Sequence, residues 1–175
     1  MKIEELFAGI ILPLIVIPEE FFVYSVIHNF TAIYVVGIIV IIGEIISAFL
    51  AKILTKKKLK IEINKGLVFL VLIIPLSFFP GLTQTSSPSF YTILIPAGIV
   101  GGICEEIIYR GYVLSDTTSI FIQGILWGIL HIFDGLLFFL WTIVIGIIFG
   151  FIAKRYGILP TMLIHVISNI LRILL

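Results

Sequence analysis

Charge is what this chain has least of. Of its 175 residues only 12% are charged, about half the roughly 25% of a soluble domain, whereas 61% are hydrophobic against roughly 45–50%. Mean hydropathy is +1.29. So few polar side chains cannot cover a water-facing surface, which excludes a soluble globular protein. An excess of one sign is missing as well: 11 Lys and Arg stand against 10 Asp and Glu. No basic field exists to hold nucleic acid. Cysteine occurs once, at Cys104, which rules out an internal disulfide and a thiolate metal cluster. Low hydrophobicity with high net charge, the mark of disorder, is absent. So is the alternation of a membrane β-barrel, because runs such as 37–42 are continuously apolar.

What remains is helix. About 20 apolar residues cross a bilayer as a helix, with a range of roughly 17–25. On that ruler the chain holds seven spans, at 6–27, 30–51, 66–82, 90–114, 119–133, 135–153 and 157–175. The expected architecture is an all-α polytopic membrane helical bundle. Its first apolar run breaks at Pro18-Glu19-Glu20, which predicts two short pieces or a kinked span. Glu4 and Glu5 deny that run the basic flank of a signal peptide, and no small-residue cleavage site follows. It is therefore expected to be retained.

Positive loops stay cytoplasmic. Lys2, the lysines at 52, 56, 57, 58, 60 and 65, and then Lys154 and Arg155 all fall on one side of the seven-span arrangement. The opposite loops, 28–29, 83–89 and Asp134, carry no Lys or Arg. The N-terminus is expected in the cytoplasm and the C-terminus outside, in a multi-pass protein of the cell membrane. The Lys-rich loop 52–65 reads as a topology signal at the lipid head groups, with a dedicated anionic-lipid or partner site as the alternative. Residues 1–89 form an N-terminal set of spans, continuous with a core of four spans over 90–175.

Ionisable groups inside a bilayer cost at least roughly 2.5–3.5 kcal/mol each, so each needs a reason. Three clusters fall on three helices: Glu105-Glu106 with Arg110, Trp127 with His131, and His165 with Asn169. Residues four apart share a face, so Glu106 pairs with Arg110 while Glu105 turns about 100° away and stays available for chemistry. His165 and Asn169 point the same way as a pair of donors. Measured from the cytoplasmic ends of their spans, Glu105, His131 and His165 lie roughly 14, 18 and 12 Å deep. The three helices thus bring polar groups to one level, in a pocket expected to face the cytoplasm. A carboxylate in a low-dielectric site suits general-base work, a neighbouring His shares its water, and His and Asn donors meet an oxyanion. Those are the parts for hydrolysis of an amide by direct attack of water.

Three motifs in this order resemble the CPBP (CAAX protease and bacteriocin-processing, or ABI) family of intramembrane proteases: Glu-Glu-x-x-x-Arg, Phe-x-x-x-His and His-x-x-x-Asn. The first is complete at Glu105, Glu106 and Arg110, and the third at His165 and Asn169. In the second, Trp127 stands where the family has Phe, with His131 in place. The resemblance covers residues 90–175. It implies that Glu105 and His131 activate the water, that His165 and Asn169 stabilise the oxyanion, and that Glu106 and Arg110 support the site. It also implies a membrane-associated peptide or protein substrate, of which a prenylated CAAX tail is one kind.

Glu105, His131 and His165 also compose a two-His, one-carboxylate zinc set with an open water position. The metal-free reading is preferred, because carboxylate, imidazole and donors already complete the chemistry. Cys104 reads as small apolar packing. Glu19, Glu20 and Glu44 have no task the sequence assigns, although Glu44 could flank a substrate path, pair with Arg172 or snorkel. Intramembrane Glu, Arg and His are equally the vocabulary of a proton-coupled transporter, yet no internal repeat is visible. A catalytically silent membrane scaffold is the third reading.

Overall fold

The computed structural model describes residues 1–26, 30–59, 61–77 and 88–175. The expected outer-loop positions 28–29 and 83–87 lie outside these, as do the side chains of Glu19 and Glu20. Among the described residues the chain is helical throughout and has no strand, as an all-α bundle requires. Helix α1 spans Ile3–Val26 and α2 Phe30–Thr55. A 3-10 helix, Lys65–Leu72, leads into the short α3 at Ile73–Ser77. Helix α4, Tyr91–Glu106, continues without interruption as a π-helix over Ile107–Val113. Then follow α5 (Thr117–Ile129), a 3-10 turn at Ile132–Asp134, α6 (Leu136–Tyr156) and α7 (Leu159–Leu174).

One local expectation is narrowed, since the first run is not two pieces, and one is corrected. Helix α1 runs through Pro13 and Pro18 as one element. Proline removes a donor, but packing carries the helix past it: Ala8, Leu12 and Val16 repeat every four residues and are buried in the core. The third expected span begins as a 3-10 helix, started by Asn64, whose side chain accepts from the Gly66 amide at 2.8 Å and donates to Tyr156 O at 2.6 Å. Among the described residues, Ile33–Thr55, Tyr91–Val113 and Leu136–Tyr156 are the helices long and apolar enough to cross a membrane. Helices α5 and α7, with 13 and 16 residues, reach only roughly 20 and 24 Å of a hydrocarbon layer about 30 Å thick.

Helix α4 lies between α2 and α7, while α1 pairs with α2 and α5 with α6. The core joins α1, the π-helix, α5, α6 and α7 around Tyr109, Trp127, Phe149 and Ile164. Outward-facing positions are large and apolar: Ile45, Phe49 and Ile53 on α2, and Leu140, Val144 and Phe151 on α6. Such a surface suits lipid.

The basic segments do gather at one end. Lys57 Nζ meets Glu5 Oε1 at 2.9 Å and donates to Tyr112 O and Leu114 O at 2.7 and 3.2 Å. Glu5 Oε2 accepts from the Lys2 amide at 2.6 Å and from Ser115 Oγ at 2.8 Å. Lys154 Nζ reaches Thr117 Oγ1 at 3.4 Å. Lys57 is therefore more than a topology signal, since it caps the end of the π-helix. The start of α5 is held beside it by a capping box: Asp116 accepts from Ser119 N, and Ser119 Oγ accepts from Asp116 N, both at 2.8 Å.

Candidate active site

The last residues of α4 and the first turn of the π-helix supply the acids and their cation. Glu106 is fully buried, and Arg110 Nη1 lies 3.1 Å from its Oε1, the pairing expected from a spacing of four. The π-helix, which adds a residue to its turns, begins just after Glu106. Helical stretches of this kind recur at functional sites. The Arg110 guanidinium is fixed from several sides. Its Nη2 donates to Gly146 O at 3.5 Å, and its Cζ sits 4.5 Å from the Trp127 ring centroid and 5.4 Å from that of Phe149. Planar charge over an aromatic face is favourable in a dry site.

Helix α7 places His165 between the two acids. Its Nδ1 lies 3.2 Å from Glu106 Oε1, and its Nε2 lies 3.9 Å from Glu105 Oε2. One Glu106 oxygen thus serves both Arg110 and His165. With Nδ1 engaged there, the ring is oriented so that Nε2 faces Glu105. A separation of 3.9 Å is too long for a direct hydrogen bond and fits a group shared with a water. Glu105 also accepts a hydrogen bond from Trp127 Nε1, a partner that helix spacing could not supply. Trp127 is more than a substitute packer. Its ring meets His165 edge-on at 5.2 Å and His131 at 5.6 Å between centroids, which makes it the wall joining both imidazoles.

The remaining groups line a cleft of about 410 Å³ counted to its open mouth, bounded by Trp127, His131, Phe138, Trp141, His165 and Asn169 among others. His131 lies past the end of α5, at the start of the 3-10 turn, with its Nδ1 2.9 Å from Asp134 Oδ2. Asn169 Nδ2 donates to Gly98 O at 3.1 Å, which uses one amide hydrogen and leaves the other for a ligand. Helix α4 can approach α7 this closely because Gly98 and Gly102 face Asn169 and Val166.

The structure therefore brings Glu105, Glu106, Arg110, His131, His165 and Asn169 to one region around Trp127, but it does not assemble the zinc set. Among the described residues no three His, Cys, Asp or Glu side chains are grouped to hold a metal ion. Nor does the cleft face the lysine end. Phe138, Trp141, Asn169 and Arg172 lie toward the ends of α6 and α7 remote from Lys154 and Arg155. On the lysine side of His165 the space is filled by Glu106, Arg110 and Phe149. Depth along a helix places a side chain but does not say which way the void between helices opens.

Ser168 escaped the sequence reading, and Arg172 and Glu44 entered it without a place at the site. Ser168 and Arg172 line the cleft one and two turns on from His165, a periodicity of three and seven that was visible in principle. Glu44 is buried on α2. A methyl group built on Gly101 would lie 3.4 Å from Glu105 Oε1 and 3.7 Å from Glu44 Oε1, so the two carboxylates converge on that glycine.

Residues 87–171 match a family model described as Rce1-like: Type II CAAX prenyl endopeptidase Rce1-like. No curated protein matches the chain, and neither does any solved structure. The matched stretch contains all six of the polar residues brought together around Trp127. The family is one of proteases, and the apolar helices around the site are those of an integral membrane protein. Through residues 87–171 the chain is similar to the Rce1-like family of type II CAAX prenyl endopeptidases.

Proposed function

We propose that the protein hydrolyses a peptide bond of a membrane-associated, CAAX-type substrate, using water activated by Glu105 in the core formed by residues 90–175. The observation that carries this reading is the placement of Glu105 Oε2 3.9 Å from His165 Nε2, beside a cleft lined by His131, His165 and Asn169. Glu105 takes a proton from water as the water oxygen bonds to the scissile carbonyl carbon. His131, whose ring meets Trp127 edge-on and lines the same cleft, assists in holding that water. The tetrahedral oxyanion is met by His165 and by the free amide hydrogen of Asn169. The C–N bond then breaks, and the amine leaves with the proton returned from Glu105. Glu106 and Arg110 orient His165 and hold the local field. The steps use Glu105, His131, His165 and Asn169 alone, since among the described residues no three His, Cys, Asp or Glu side chains are grouped to hold a metal ion.

The test is cleavage by the purified full chain of a farnesylated CAAX peptide and a small panel of membrane peptides. The parent is expected to be active, while Glu105→Ala and His165→Ala each lose at least about a hundredfold, or roughly 3 kcal/mol of transition-state stabilisation. Parent-like turnover in Glu105→Ala removes the base from this mechanism. An inactive parent leaves the transporter or the silent scaffold standing.

A further inference from the structure

Arg172 is a cation inside the cleft that the hydrolytic chemistry leaves unused. It lies one residue beyond the stretch matched by the family model and lines the same cavity as His165, Ser168 and Asn169. Its guanidinium stacks 4.6 Å from the Phe138 ring centroid, and its Nε is buried with no hydrogen-bond partner. The carboxylate whose field reaches it, Asp134, is engaged by His131 Nδ1 at 2.9 Å. A half-buried guanidinium with an idle donor, lining an apolar-walled cleft, is built to receive a planar anion.

Distance says which anion. His165 and Arg172 are seven residues apart on α7, two turns on one face and roughly 10.5 Å along the axis. A CAAX tail carries three residues beyond its prenylated cysteine and ends in a free carboxylate. Three extended residues span roughly 10–11 Å. With the scissile carbonyl at His165, the tail's terminal carboxylate falls at Arg172. Between them Ser168, whose buried Oγ has no partner, and Asn169, through its Oδ1 as an acceptor, can meet the extended backbone. Phe138, Trp141 and Ile145 offer apolar walls to the two aliphatic side chains.

Building on the proposed hydrolysis, we infer that Arg172 binds the C-terminal carboxylate of the substrate and so sets the cut three residues from the end. It is a specificity residue, touching the tail and not the reacting atoms. The experiment compares a farnesylated CAAX peptide as free acid, as C-terminal amide, and lengthened by one residue, using the full chain and its Arg172→Gln and Arg172→Lys variants. The parent is expected to lose tenfold or more in kcat/KM on the amide and on the longer peptide. Arg172→Gln should treat acid and amide alike, and Arg172→Lys should recover part of the acid preference. Equal cleavage of acid and amide by the parent overturns the inference while the hydrolysis stands. A second readout needs no turnover: binding of an aliphatic tripeptide acid and of its amide to Glu105→Ala protein, with and without Arg172→Gln. A tenfold preference for the acid that vanishes in the double variant supports the inference even if no peptide is cleaved, in which case only the proposed hydrolysis fails. Binding without that preference overturns it.

Discussion

Trp127 donates its indole N–H to the Glu105 carboxylate. The family pattern has Phe at this place, so the fold should accept Trp127→Phe, which keeps the ring and removes the donor. A hydrogen bond to a charged group contributes about 1.5–3 kcal/mol, and part of it is recovered by water in the open cleft. We expect Trp127→Phe to lose about tenfold in kcat/KM and to lower the melting temperature less than Glu106→Gln does, because an aromatic ring remains beside His131 and His165. An unchanged kcat/KM would make Trp127 a packing residue only.

Glu106 carries a different load. One of its oxygens holds both Arg110 and His165, and neither side chain of the Glu106–Arg110 pair is exposed. Removing one partner of a buried pair leaves the other charge uncompensated, at about 3–5 kcal/mol. Glu106→Gln is therefore expected to lower stability by that amount in a detergent unfolding assay and to abolish cleavage through His165. Arg110→Lys should also lose stability, because an ammonium cannot lie flat against Trp127.

How much of this was legible in the sequence follows from what each signal measures. Spacing of four gave the Glu106–Arg110 pair and the shared face of His165 and Asn169, because helix geometry is local. Composition gave the all-α membrane bundle, because the bilayer leaves few alternatives. The hydrogen bond from Trp127 to Glu105 joins residues 22 apart on different helices, and no local periodicity encodes it. The π-helix after Glu106 likewise depends on tertiary packing around Tyr109 and Arg110. The opening of the cleft away from the lysine end depends on which side chains fill the space below His165, a property of the assembled bundle. The continuity of α1 through Pro18 is another case in which packing overrides a local breaker.

Close backbone approach fixes the wall that carries Trp127. A methyl group on Gly146 would lie 2.9 Å from Gly124 Cα and 2.9 Å from Trp127 Cε3. Backbone atoms cannot yield as a flexible side chain can, so α5 and α6 would have to part. Overpacking of this kind costs about 1–3 kcal/mol. Gly146→Ala should lower the melting temperature and, by displacing Trp127, reduce kcat/KM. A variant as stable as the parent would show that the helices part freely.

At the lysine end, the pH dependence of stability should trace to Glu5, which precedes the first expected span. Burial raises its proton affinity, but the Lys2 amide, Lys57 and Ser115 outweigh burial, and the carboxyl titrates below its ordinary value. A carboxyl with a lowered folded-state pKa contributes stability that is fully present above its unfolded value, about 4.3, and is lost as pH falls through the folded value. Acidification below about pH 4 should therefore release Lys57 from Glu5 and loosen α1 from the end of the π-helix. Thermal unfolding in micelles across that range should show the parent's melting temperature falling with acid. Glu5→Gln, which cannot titrate, should start lower at neutral pH and change less. If the two proteins decline in parallel, the acid sensitivity belongs to another group.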